Sequence, residues 1–114
     1  MNWYKFDNGN SIGKTGSEGG ITIDDIENIN GARISLEKDG VTAPYSVTLG
    51  IYGLMFHTHF SSTLDEAHSY FDFAKSKINE ILKLYDILEV DRDSIWRNQL
   101  NTLIEELAEV ANGG

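Results

Sequence analysis

His57 and His59 stand two residues apart in the segment Leu54-Met55-Phe56-His57-Thr58-His59-Phe60. In a β-strand that spacing puts both imidazoles on one face of the sheet. Neutral imidazole is the commonest metal ligand, and two rings on one face can converge on a single ion. A third ligand would have to come from elsewhere. His68 is the one remaining histidine, while Glu37 and Tyr52 share the predicted face of the pair. Phe56 and Phe60 point the opposite way, with Leu54 and Thr58. If this aromatic side is the core, the imidazoles look out from an open face with Arg33, Ser35, Glu37, Ser46, Thr48, Tyr52 and Met55. His57, His59, Arg33, Glu37, Ser46, Thr48 and Tyr52 are therefore the candidate interaction residues. Antiparallel sheets commonly leave one face to solvent, so a polar face without metal is the preferred reading, and a metal- or small-ligand site built on the histidines is the alternative. Serines and histidines near one another do not make a nucleophile without an oxyanion hole, and no catalytic residue is assigned.

Two further motifs fail on context. Gly9-Asn10-Ser11-Ile12-Gly13-Lys14-Thr15 approaches a phosphate-binding loop, but Asn8 occupies the position of the first glycine. Gly16-Ser17-Glu18-Gly19-Gly20 follows where a helix N-terminus should hold the phosphates. Asp91-Arg92-Asp93 opens like a calcium loop, then offers Ile95 and Trp96 where the third oxygen ligand and the glycine belong and Thr102 at position twelve. It reads as a helix cap. Nothing in the chain asks for a cofactor.

The elements that must position these residues fall into two halves. Trp3 to Phe6 and Ile21 to Ile23 are short strand candidates. Residues 7–20 hold Gly9, Gly13, Gly16, Gly19 and Gly20 and read as a flexible loop, whereas residues 24–30 are ambiguous because Ile26 and Ile29 sit a helical turn apart. Residues 32–60 alternate as a three-stranded meander: Ala32, Ile34 and Leu36, then Tyr45, Val47, Leu49 and Ile51, then Phe56, Thr58 and Phe60. A tight turn at Tyr52-Gly53 sets Leu49 opposite Phe56 and Thr48 opposite His57, and a slip of one residue would invert every side chain. Residues 63–112 read as a helical hairpin. Thr63 and Glu66 form a capping-box pair. Ala67, Phe71, Ala74, Ile78, Ile81 and Tyr85 make one apolar stripe, and Trp96, Leu100, Leu103, Leu107 and Val110 make a second. Asp91 or Asp93 caps the second helix, and Asn112-Gly113-Gly114 ends it. The expected fold is a single α+β domain over residues 1–114, an antiparallel meander of three to five strands with both helices on its aromatic face.

Charge narrows the partners. The 114 residues carry 9 Lys and Arg against 18 Asp and Glu, a net −9, distributed as −3 over residues 1–60 and −6 over 61–114. An anionic surface repels phosphate backbones and anionic headgroups, so nucleic acid and membrane surfaces are not expected partners, whereas a basic protein is. There is no cysteine, hence no disulfide, thiolate nucleophile or cysteine-bound metal. The first residues lack the basic-then-apolar design of a signal peptide, and no apolar run approaches a membrane span, so the expected location is the cytoplasm. In size and charge alone the chain resembles the small immunity proteins that neutralise bacterial toxins. No family motif matches residue by residue. The functional expectation is a non-enzymatic, acidic protein-binding module of inhibitor or immunity type, with a homo-oligomer, such as a homodimer, left open.

Overall fold

A computed structural model describes residues 2–111. The side chain of Val110 and the helix-ending segment 112–114 lie outside the described residues. Five strands form one antiparallel sheet in chain order: β1 (Trp3–Lys5), β2 (Ile21–Asn28), β3 (Ala32–Lys38), β4 (Tyr45–Ile51) and β5 (Met55–Ser61). Two helices follow, α1 (Leu64–Leu84) and α2 (Ser94–Ala111), and both lie on one side of the sheet. This is the α+β meander with two helices expected from the alternation and the stripes.

The core lies between the sheet and α1. Ala32, Ile34, Leu36, Val47, Leu49 and Ile51 meet Ala67, Tyr70, Phe71, Ala74, Ile78 and Ile81, all buried, and Leu100 and Leu107 of α2 close its flank. The helices start where the sequence places them. Thr63 Oγ1 accepts the Glu66 amide at 3.2 Å, and Asp93 Oδ1 accepts the Trp96 amide at 2.9 Å. These caps satisfy amides that the first helical turn leaves without carbonyl partners. The Trp96 indole donates to the Leu84 carbonyl at 2.7 Å, tying the second helix to the end of the first.

The β4–β5 turn changes the outcome for the histidines. Leu54 N donates to the Ile51 carbonyl at 2.9 Å, Gly53 takes φ +78°, and three residues separate the strands. Leu49 therefore opposes His57, Gly50 opposes Phe56 and Thr48 opposes Thr58. The register is one residue away from that of a tight turn at Tyr52-Gly53, and the faces of β5 are inverted. Met55, His57 and His59 look toward the helices, and His59 stacks on Tyr70 with ring centroids 4.1 Å apart. Phe56 and Phe60 point away from the helices, so the helices do not pack on the aromatic side of β5.

The ambiguous stretch 24–30 also resolves as sheet. β2 runs unbroken to Asn28, with a bulge between Thr22 and Asp24. Its turn into β3 is closed by Gly31 N donating to the Asn28 carbonyl and Asn30 N to Asn28 Oδ1. Asn30-Gly31 is a hairpin signal, and it outweighs the three-residue spacing of Ile26 and Ile29. Ile29 is exposed in that turn.

Candidate binding cleft on the open sheet face

The side of the sheet that no helix covers carries Thr22, Asp25 and Glu27 from β2, Arg33, Ser35 and Glu37 from β3, Ser46, Thr48 and Gly50 from β4, and Phe56, Thr58 and Phe60 from β5. The pairings Thr22–Glu37, Asp25–Ser35, Glu27–Arg33, Glu37–Ser46, Thr48–Thr58 and Gly50–Phe56 place them across from one another. Of the residues expected to form an interaction face, Arg33, Glu37, Ser46 and Thr48 are here, and Tyr52 reaches over from the β4–β5 turn. His57 and His59 are not: they stand on the opposite side, beneath the helical layer.

The glycine-rich segment, expected as a flexible loop, packs across part of this face through hydrogen bonds. Glu37, 1% exposed, takes hydrogen bonds from the amides of Gly20 at 3.0 Å and Glu18 at 3.2 Å. Gly16 lies directly against the same carboxylate, where any β-carbon would collide with it. Gly13 N donates to the Thr22 carbonyl, Thr22 N to the Lys14 carbonyl, and Val41 N to the Glu18 carbonyl. A carboxylate facing backbone amides is a strong, charge-assisted anchor. Here the anion that the glycine loop wraps belongs to the protein itself, and the strand β2, not a helix, follows Lys14-Thr15.

Between this segment and the strands lies a cleft of about 540 Å³, lined among others by Asp7, Ser11, Lys14, Arg33, Thr48, Tyr52 and Phe56. Arg33 is gripped on two sides. Its Nε and Nη2 donate to Asp25 Oδ1 and Oδ2 at 2.9 and 2.7 Å, and its guanidinium lies 3.5 Å from the centroid of the Phe6 ring. The bond to Asp25 holds Arg33 still more firmly protonated than a free guanidinium. Glu27 is clamped by two phenols, Tyr4 Oη at 2.9 Å and Tyr52 Oη at 2.6 Å. Burial, and then the bond to Glu27, push the Tyr52 phenol up to about 12. Asp25, Glu27, Arg33 and Glu37 are thus each engaged by another part of the chain. Of these, Asp25, Arg33 and Glu37 line the cleft and form a fixed polar wall suited to positioning a bound group.

Sequence reasoning missed Asp25, Glu27 and Tyr4. The readable signal was Asn30-Gly31: a hairpin there brings Glu27 opposite Arg33 and Asp25 within reach of it. Phe56 was misplaced rather than missed, being 78% exposed at the cleft wall, with Phe60 at 41% on the same strand.

On the helix side, His57 is partly desolvated, which lowers its pKa. Its Nε2 is buried without a hydrogen-bond partner among the described residues. Glu37 and Tyr52, the acid and phenol considered as further metal ligands, lie across the sheet, and His68 is exposed on α1. Among the described residues no group of three His, Asp or Glu is placed to hold a metal ion, and no helix is long and apolar enough to cross a membrane. Comparison with protein-family models, curated proteins and solved structures found no match to this chain.

Proposed function

We propose that this chain is a non-enzymatic protein-binding module, of inhibitor or immunity type, that meets a basic partner with the open face of its sheet. The observation that carries the reading is the exposure of Phe56 at the wall of a polar cleft whose strand-borne charged groups, Asp25, Arg33 and Glu37, are already engaged within the chain. Large aromatic side chains left in water beside a rigid polar rim are the usual energetic anchors of protein interfaces. The net −9 of the chain favours a cationic partner and speeds its approach.

The test is capture on the immobilised chain from a native lysate, followed by titration with the purified partner. A stoichiometric basic protein, released by salt and lost in Phe56→Ala and Tyr52→Ala, is the expected result. A partner held equally well by both variants, or one indifferent to ionic strength, would remove the open face from the proposal.

A further inference from the structure

The two edges of the sheet are built differently. β1 is three residues long and ends in Lys5, features that discourage another strand from pairing with it. β5 is seven residues long and pairs with β4 without a bulge. It holds no proline, lysine or acid in a chain that carries 18 acids. Among the described residues no further strand pairs with it, although α2 also contacts β5. The strand is also symmetric in sequence: Phe56-His57-Thr58-His59-Phe60 reads the same in both directions about Thr58.

We infer that β5 pairs antiparallel with β5 of a second copy, about a two-fold axis at Thr58. In that register Phe56 faces the second copy's Phe60 on the open side, and the reverse pair repeats it. Cross-strand aromatic pairs of this kind stabilise sheets, and the isologous contact closes on itself as a dimer. An uncharged edge is also where two chains of net −9 approach with least repulsion.

Area sets the strength. With about 200 Å² per phenylalanine, Phe56 and Phe60, 78% and 41% exposed, present about 240 Å² per copy. Stable interfaces bury roughly 1,200–2,000 Å² in total, and the rings of two copies supply only about 480 Å² of that, so the contact is a weak one. The dimer is therefore a concentration-dependent equilibrium rather than a permanent assembly. It uses the edge of the sheet and shares Phe56 with the wall of the cleft proposed for a basic partner, but does not depend on that partner.

The absence of cysteine makes the register directly testable. Directly opposed residues in an antiparallel pair have Cα atoms about 4.5–5.5 Å apart, within disulfide reach. Thr58→Cys is expected to form a disulfide-linked dimer under mild oxidation, at least tenfold faster than Val41→Cys, a control at an 87% exposed site between β3 and β4. Sedimentation of the wild-type chain should show mass rising towards twice the monomer with concentration, and Thr58→Lys, which sets two ammonium groups against each other at the axis, should remain monomeric. Equal cross-linking at the two positions, or a wild-type chain monomeric up to about 1 mM, overturns the inference. Either result leaves partner capture through the cleft to be judged separately.

Discussion

The ring of Phe56 occupies the space that a side chain on Gly50 would fill: a β-carbon there would stand 2.7 Å from Cε1. The two residues are direct partners across β4 and β5. An aromatic laid over a glycine covers backbone that the glycine leaves bare. This keeps Phe56 on the open face without burying it.

Phe56 and Phe71 should therefore differ sharply on truncation. Phe71 is 5% exposed in the core, and Phe71→Ala should cost about 3–5 kcal/mol. Phe56→Ala should cost under about 1 kcal/mol, as for a surface position. Urea denaturation of both variants decides it, and a loss near 3 kcal/mol at Phe56 would return that ring to the core.

Most of the framework was legible because local and global signals agreed. Alternation in β3 and β4 correctly marked Ile34, Leu36, Val47 and Leu49 as core, and the first helical stripe correctly marked Ala67, Phe71, Ala74, Ile78 and Ile81, whereas its last member, Tyr85, lies past the end of α1 and is 37% exposed. Strand β5 was harder, since both of its faces carry large groups: two phenylalanines on one, a methionine and two imidazoles on the other. Only the turn decides between them, and one additional turn residue reverses the answer. His59 then finds Tyr70, a stacking partner on α1 that no strand pattern reveals. The cleft was hidden for a related reason. Its cover is a glycine-rich segment held by the Glu37 carboxylate, a contact between residues 17 and 19 positions apart.

Glu37 should accordingly govern the order of that segment. Glu37→Ala leaves the Glu18 and Gly20 amides without their acceptor, and should cost about 1.5–3 kcal/mol, the range for hydrogen bonds to a charged group. Hydrogen exchange should be slow at Gly13, Glu18 and Gly20 in the wild-type chain and accelerate in the variant. Fast exchange at all three in the wild-type chain would show that the latch does not hold.

The Asp25–Arg33 pair should respond unequally to removal of its partners. The Asp25 side chain is 1% exposed and the Arg33 side chain 39%. Arg33→Ala leaves a buried carboxylate without its counter-charge, at a cost of about 3 kcal/mol. Asp25→Ala leaves a guanidinium that still rests on Phe6 and can turn to water, so about 1–2 kcal/mol is expected. Denaturation of the two single variants reads the asymmetry directly. Equal costs would place Asp25 in contact with solvent.

His57 gives the fold a pH dependence of definite sign. Burial lowers its folded pKa below the ordinary 6.5. Well above pH 6.5, from about pH 7.5 upward, the ring is neutral in both the folded and unfolded chain, and its contribution to stability is intact. As pH falls below 6.5 the unfolded chain takes up a proton before the folded one, so stability declines until the folded pKa has been passed. Carboxylates titrate at lower pH still, so comparison with His57→Gln isolates the ring. The stability of the wild-type chain relative to that variant should fall between pH 7.5 and 5, and the NMR titration of the His57 ring should have its midpoint below 6.5. A midpoint at or above 6.5 would mean that the ring is solvated or held by a negative partner, and the placement of β5 against the helices would have to be revised.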